Sequence, residues 1–139
     1  MCLLVLGPAC ASGDAQPVVL PECPEFDASA APNVAGTYRY SSLAFQLRGM
    51  IVFEQEGSVV RVLDTSYDNA DSRARALQGE ATLQGNYLDV TLMPTNGDTD
   101  YVADVQFAFD GTGNTFCLRG FSDTNDDVGG EGSYTGYRQ

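Results

Sequence analysis

From residue 34 onward, hydrophobic and polar residues alternate along the chain with the two-residue period of half-buried β-strands. Leu88, Val90 and Leu92 occupy every second position of one segment, and Tyr87, Asp89 and Thr91 stand between them. Such alternation turns one face of each strand toward a core and the other toward water. No stretch of the chain shows a convincing helical period. The sequence therefore predicts an all-β domain over residues 34–139.

Eight segments have strand character, and the connections between them are short. The segments are residues 34–42, 45–56, 58–67, 73–84, 86–94, 100–110, 114–122 and 131–138. The connections carry residues that tolerate positive φ, such as Glu56-Gly57 and Gly85-Asn86. Short connections join neighbours antiparallel, and a meander of eight strands hides its edges most simply by closing into an up-and-down barrel. A two-sheet β-sandwich is the alternative.

A Leu-polar-Gly triplet recurs in these segments. It ends at Gly49, Gly79, Gly85 and Gly120, and the Leu and the Gly always share one parity. An inward glycine relieves crowding and lets a strand bend around a small barrel. The repeat therefore agrees with the barrel.

The amino terminus is a short apolar run, residues 1–9, that ends in small residues before Cys10. The sequence LGPAC at residues 6–10 resembles the end of a bacterial lipoprotein signal peptide, where small residues precede the cysteine that takes lipid. The resemblance implies lipidation of Cys10 and a membrane-anchored lipoprotein of the cell envelope that faces the periplasm or the exterior. A disordered or core-packed apolar end is the alternative.

Residues 11–33 hold four of the six prolines, which predicts a semi-extended spacer between residues 1–10 and the barrel domain. Removal of the signal would discard Cys2, and lipidation would consume Cys10. Cys23 and Cys117 would then remain and form a disulfide. The rival pairing joins Cys10 to Cys23 and leaves Cys117 buried and free.

Composition excludes several functions. The chain of 139 residues has 19 acidic and 7 basic residues and a net charge of −12, which disfavours nucleic acid and anionic lipid head groups as partners. It has no His, and all seven basic residues are Arg, so the commonest general base and any Schiff-base lysine are absent. We therefore expect a non-catalytic protein, and we expect it to be a monomer.

The loop after residue 122 is rich in oxygen ligands. Asp123, Asn125, Asp127 and Glu131 alternate with other residues and could surround a hard cation such as Ca²⁺. The EF-hand pattern is not met, because Val128 stands at the position of its glycine. A solvated acidic hairpin loop is the alternative interpretation.

Two short motifs resemble lipocalins, a family of small barrels within the calycins. Gly36-Thr37-Tyr38 opens the first predicted strand where lipocalins carry Gly-any-Trp, and Arg138 lies in the last strand where they keep an arginine that packs across that aromatic ring. The resemblance spans residues 34–139. It implies a lipocalin-like barrel that binds a small apolar or amphipathic molecule and needs no cofactor.

We predict that this ligand contacts Tyr38, Tyr40, Tyr101 and Phe107. Aromatic rings with a polar tip suit the mouth of a barrel, although they suit equally a rim without a ligand. If instead the phenylalanines fill the interior, the protein would be an envelope structural or interaction module that acts through its acidic surface and loops.

Arg61 is the remaining candidate for ligand contact. It shares parity with Val59 and Leu63, whereas Val60 and Val62 share the other parity, so the pattern leaves its direction open. An inward Arg61 would bind a carboxylate or phosphate head group, because a buried arginine needs an anion. An outward Arg61 would hold its charge in solvent.

Overall fold

The computed structural model describes residues 19–42, 48–67 and 75–139, which form an all-β fold. The strands of this part are β1 (Gly36–Ser41), β2 (Arg48–Glu56), β3 (Val59–Tyr67), β4 (Arg75–Thr82), β5 (Tyr87–Pro94), β6 (Ala103–Phe109), β7 (Thr115–Asp123), β8 (Val128–Gly129) and β9 (Thr135–Arg138). These ranges contain no helix long and apolar enough to span a membrane.

Eight of these strands form a closed antiparallel barrel. Strands β1 to β7 pair in chain order, and β9 lies between β7 and β1, so the sheet returns to its first strand. The two-residue strand β8 pairs only with β7 and stands outside the closed ring. The predicted eight-stranded barrel is thus confirmed, and the two-sheet sandwich does not form.

An aromatic cluster fills the barrel interior near one end. Phe53 lies at its centre, and its ring centroid is 5.2 Å from Tyr38, 5.2 Å from Phe107, 5.3 Å from Phe109 and 5.9 Å from Phe116. All five side chains are buried. Edge-to-face pairs of this kind add about 0.5–1.5 kcal/mol each beyond the burial of their area. We call these five residues the aromatic core.

Arg138 closes the barrel at the aromatic core. Its guanidinium donates to the carbonyls of Asn33 at 2.8 Å and Ala35 at 2.9 Å, and to the side chain of Asn114 at 2.7 Å. Its Cζ atom lies 5.7 Å from the centroid of the Tyr38 ring. We call this end of the barrel the closed end.

Residues 19–33, the described part of the predicted spacer, run along the outside of the barrel, and we call them the strap. Cys23 forms a disulfide with Cys117 of β7, with 5.3 Å between the Cα atoms, so the predicted pairing is confirmed and the pairing of Cys10 with Cys23 is wrong. The lipidation site predicted at Cys10 lies outside the described residues.

Polar side chains of the barrel bind the strap as well. Asn86 accepts a hydrogen bond from the amide of Asp27 at 2.8 Å and donates to the carbonyl of Glu25 at 3.0 Å. Tyr87 donates to the carbonyl of Pro24 at 3.2 Å. The strap therefore has defined contacts along its length, although it contributes no strand.

The inward glycines of the recurring triplet are only partly as predicted. Gly79 lies on the inner face of β4 opposite Val62, as expected. Gly120 pairs with Gln106 on the outer face, because a bulge interrupts β7 between Leu118 and Gly120. The extra residue reverses the parity of the strand, so the inward prediction for Gly120 is wrong.

We predict that Gly79→Ala destabilises the barrel. A Cβ atom at Gly79 would lie 2.2 Å from the carbonyl oxygen of Thr91 and 2.9 Å from Val90, so backbone must shift. The free energy of unfolding should fall by about 2–3 kcal/mol in urea denaturation. Gly111→Ala is the matched control, because nothing lies within 4 Å of its Cβ position. Equal stability of the two variants would contradict this account.

We predict further that the disulfide stabilises the fold through its long loop. The two cysteines are 94 residues apart. Replacing both with serine, Cys23→Ser with Cys117→Ser, should lower the free energy of unfolding by about 2–5 kcal/mol. Dithiothreitol should lower the denaturation midpoint of the native protein to about that of the variant, and it should leave the midpoint of the variant unchanged. A native midpoint that is insensitive to reduction would refute the prediction.

Candidate functional site

A carboxylate is buried inside the barrel beyond the aromatic core. Asp64 of β3 is 6% exposed, and its sheet neighbours on either side are Ile51 and Leu77. The hydroxyl of Tyr40 lies 3.1 Å and 3.0 Å from its two carboxylate oxygens. An ionisable group in an apolar interior is costly unless it is hydrogen-bonded, so this pair is a distinctive feature of the interior.

A second tyrosine-carboxylate pair lies toward the same end. Tyr101, which is 2% exposed, donates to Asp123 at 2.8 Å. Asp123 is paired in the sheet with the buried Ala103. Because neighbouring strands of the ring are antiparallel, the last residues of β1, β3, β5 and β7 all lie opposite the closed end. We call this opposite end the polar end.

Aromatic rings extend along the inner wall from the first pair. The ring of Tyr134 lies 5.8 Å from that of Tyr40 and 5.6 Å from that of Phe121. Phe121 stands two residues before Asp123 on β7. The polar end therefore combines aromatic surface with carboxylates and hydroxyls, which is the composition of sites that hold amphipathic molecules.

The structure separates the five residues predicted to contact a ligand. Tyr40 and Tyr101 lie toward the polar end, whereas Tyr38 and Phe107 belong to the aromatic core. Arg61 lies on the outer face, where its side chain is 64% exposed and 3.3 Å from Glu54. The interpretation that Arg61 points inward and binds an anionic head group is therefore wrong.

Sequence reasoning missed Asp64 as a site residue, although a signal was present. Asp64 shares its parity with Val60 and Val62, and both valines are fully buried. If Val60 and Val62 face inward, the alternation of the strand predicts that the Asp64 side chain is buried as well. The signal was hidden because Val59 and Leu63 make the opposite parity of β3 equally apolar in sequence.

The contacts of Tyr38 stabilise the fold. Its hydroxyl donates to the carbonyl of Val34 at 3.0 Å and contacts the carbonyl of Gly113. Burial raises the pKa of Tyr38 to about 12, with Asp110 adding to the rise and Arg138 opposing it. The neutral phenol is thus a tie between the segment before β1 and the turn after β6.

The acidic loop is organised by its own hydrogen bonds. One oxygen of Asp123 accepts from the amides of Asn125 at 2.9 Å and Asp127 at 3.0 Å, and the other accepts from Tyr101. Glu131 accepts from the amide of Cys23 at 2.8 Å. Within residues 19–42, 48–67 and 75–139, no three Asp, Glu or Cys side chains are grouped so as to hold a metal ion. The four predicted calcium ligands are therefore not brought together.

Comparison with known proteins yields no match to a family model, to a curated protein or to a solved structure.

We predict that Tyr38 makes stability depend on alkaline pH. The folded pKa is about 12 and the ordinary value is near 10, so the unfolded chain loses this proton first. The stabilising contribution is complete below pH 10 and is lost as the pH rises toward 12, by about 2 kcal/mol. Tyr38→Phe should reduce stability at pH 7 by about 1–2 kcal/mol and flatten the decline between these pH values.

The measurement is urea denaturation from pH 7 to 12. Tyr137→Phe is the control, since Tyr137 is 57% exposed and its replacement should leave the pH profile unchanged. An equally steep decline in the Tyr38→Phe variant would contradict the assignment.

Proposed function

We propose that this protein is a non-catalytic, membrane-anchored lipoprotein of the cell envelope, with a lipocalin-like barrel that binds a small amphipathic ligand at its polar end. The observation that carries the proposal is the Asp64–Tyr40 pair, which is buried in the barrel interior. A binding site for an amphipathic molecule needs apolar walls with a few polar groups that orient the ligand.

The aromatic core limits both the place and the size of the ligand. Phe53 and its four aromatic neighbours fill the interior at the closed end, and Arg138 crosses that end with hydrogen bonds to Asn33, Ala35 and Asn114. A ligand would therefore enter from the polar end and reach Asp64 without passing the aromatic core. This arrangement suits a molecule much shorter than a full-length acyl chain.

The polar groups define the chemistry that such a ligand should have. A carboxylate accepts hydrogen bonds from hydroxyl, amide or ammonium groups and repels anions. The rings of Tyr40, Tyr134 and Phe121 provide an apolar contact surface. The expected ligand is an apolar body that carries a neutral or cationic donor group.

Two observations support the cellular setting. The Cys23–Cys117 disulfide is typical of an oxidising compartment such as the periplasm or the cell exterior. The strap also connects the barrel to the segment that resembles a lipoprotein signal.

The absence of His and Lys from the chain supports a non-catalytic role.

The alternative function is an envelope structural or interaction module that acts through its acidic surface. The aromatic core favours this alternative, because it fills part of the space that a binding barrel would leave for a ligand. The net charge of −12 and the exposed carboxylates of the loop after β7 would then select basic partners.

We predict that protein purified from its own host carries a bound lipophile visible by native mass spectrometry. The purified barrel should also bind N-phenyl-1-naphthylamine saturably, with a rise in probe fluorescence. Asp64→Asn and Tyr40→Phe should each weaken probe binding about tenfold, because each removes part of the buried polar pair. Asp104→Asn is the control, since Asp104 lies exposed on the outer face of β6.

Thermal melting of each variant checks that the fold is retained. Absence of both a co-purified molecule and saturable probe binding would contradict the binding role and favour the interaction module. Equal loss of binding in the Asp104→Asn control would show that the polar end is not the site.

A further inference from the structure

The outer wall of the barrel carries a groove that is separate from the interior. It has a volume of about 220 Å³ and opens to solvent, and its walls are Phe26, Thr82, Gln84, Tyr87, Asp89 and Arg119. Phe26 comes from the strap, and the other residues come from the β4–β5 hairpin and from β7. Tyr87 and Asp89 project from β5 on the face opposite the buried Leu88.

Arg119 lies at a β-bulge beside this groove. Gln106 pairs with Gly120 and Phe107 pairs with Leu118, so Arg119 is the extra residue of β7. Bulges of this kind redirect a side chain and occur often beside functional sites. Without the bulge, the strict alternation of β7 would continue and Phe121 would face outward.

The guanidinium of Arg119 is held in a fixed position. Its Cζ atom lies 3.8 Å from the centroid of the Tyr87 ring, and one of its nitrogens donates to Asp89. Its Nε atom is buried and has no hydrogen-bond partner among the residues that the structure describes. The buried Nε cannot reach a ligand, but the side chain is 26% exposed and four of the five N–H donors of a guanidinium are on its terminal nitrogens. One terminal nitrogen donates to Asp89, so other terminal donors remain for a ligand in the groove.

Phe26 provides an apolar wall that only the strap can supply. Its ring is 5.1 Å from that of Tyr87, and the residue is nevertheless 53% exposed. The hydrogen bond from Tyr87 to Pro24 and the disulfide at Cys23 hold this part of the strap in place. A large aromatic side chain that is fixed yet half exposed is typical of a contact surface.

The charges of the groove favour a neutral ligand. Asp89 balances the charge of Arg119, so an added anion meets a carboxylate and an added cation meets a guanidinium. The net charge of −12 further disfavours anions. Thr82 and Gln84 can each donate and accept hydrogen bonds, as can the hydroxyls of a polyol.

We propose that this groove binds one neutral sugar residue of a carbohydrate. A sugar ring matches the groove because its hydroxyls both donate and accept, while its C–H face can lie against Phe26. The volume of about 220 Å³ is smaller than the roughly 300–1,000 Å³ of pockets for drug-sized ligands, which limits the occupant to about one ring. The site depends on the strap, and it is independent of the ligand proposed for the polar end.

Saturation-transfer difference NMR tests the proposal with methyl β-D-glucopyranoside and N-acetylglucosamine at about 20 mM, a concentration suited to dissociation constants near 1 mM. We expect saturation of the ring protons of at least one of these sugars. Phe26→Ala and Gln84→Ala should each reduce the transfer at least threefold. Val19→Ala is the matched control on the strap, because Val19 is 85% exposed and does not line the groove.

A second variant separates this site from the interior. Cys23→Ser with Cys117→Ser should weaken sugar binding to the same degree as Phe26→Ala and leave binding of N-phenyl-1-naphthylamine unchanged. No transfer to either sugar, or equal transfer in Phe26→Ala and the native protein, would overturn the proposal. Stronger transfer to benzoate or benzylammonium than to either sugar would overturn the assignment to a neutral ligand.

Discussion

Closure of the barrel depends on β9, a strand of only four residues that pairs with β7 on one side and β1 on the other. Gly136 lies opposite Phe116, and a Cβ atom there would be 2.4 Å from the Phe116 ring. The missing side chain lets Phe116 enter the aromatic core. Two residues later, Arg138 crosses the closed end and packs on Tyr38. One short strand thus sets the register of closure, the packing of the core and the sealing of one end.

The disulfide lies at the place where β9 closes the barrel between β7 and β1, which we call the seam. Cys117 pairs with Thr135 of β9, so the bond to Cys23 holds the strap beside the place where the barrel closes. The strap and the seam therefore support each other, because a strap fixed at β7 brings Asn33 within reach of Arg138. Loss of the disulfide should loosen the outer wall near Tyr87 before it disturbs the aromatic core, which is held by contacts between strands.

Local sequence signals predicted most of the fold and little of the site. Alternation and turn residues give the eight barrel strands, because both are short-range patterns. The disulfide was predicted from the resemblance to a lipoprotein signal, which implies that only Cys23 and Cys117 remain to pair. The direction of Arg61 and Asp64 could not be predicted in this way. Both parities of β3 are apolar around them, and only pairing with β2 and β4 decides which face is inside. The bulge at Arg119 shifts the phase of alternation in β7, but Phe121 is the one apolar residue of the strand after it, which is too little to predict a bulge.

The attachment of the strap shows why polar residues in turns were hard to interpret. Asn86 reads as a turn residue in the sequence, yet it is 4% exposed and also donates to the carbonyl of Phe109 at 3.0 Å. Its bonds to Asp27 and Glu25 reach some 60 positions back along the chain. Contacts at that separation have no local pattern. They nevertheless create the outer groove, because they fix Phe26 against Tyr87. The barrel wall therefore carries a candidate site on each face: carboxylates and aromatic rings on the inner face, and Arg119, Gln84 and Phe26 on the outer face.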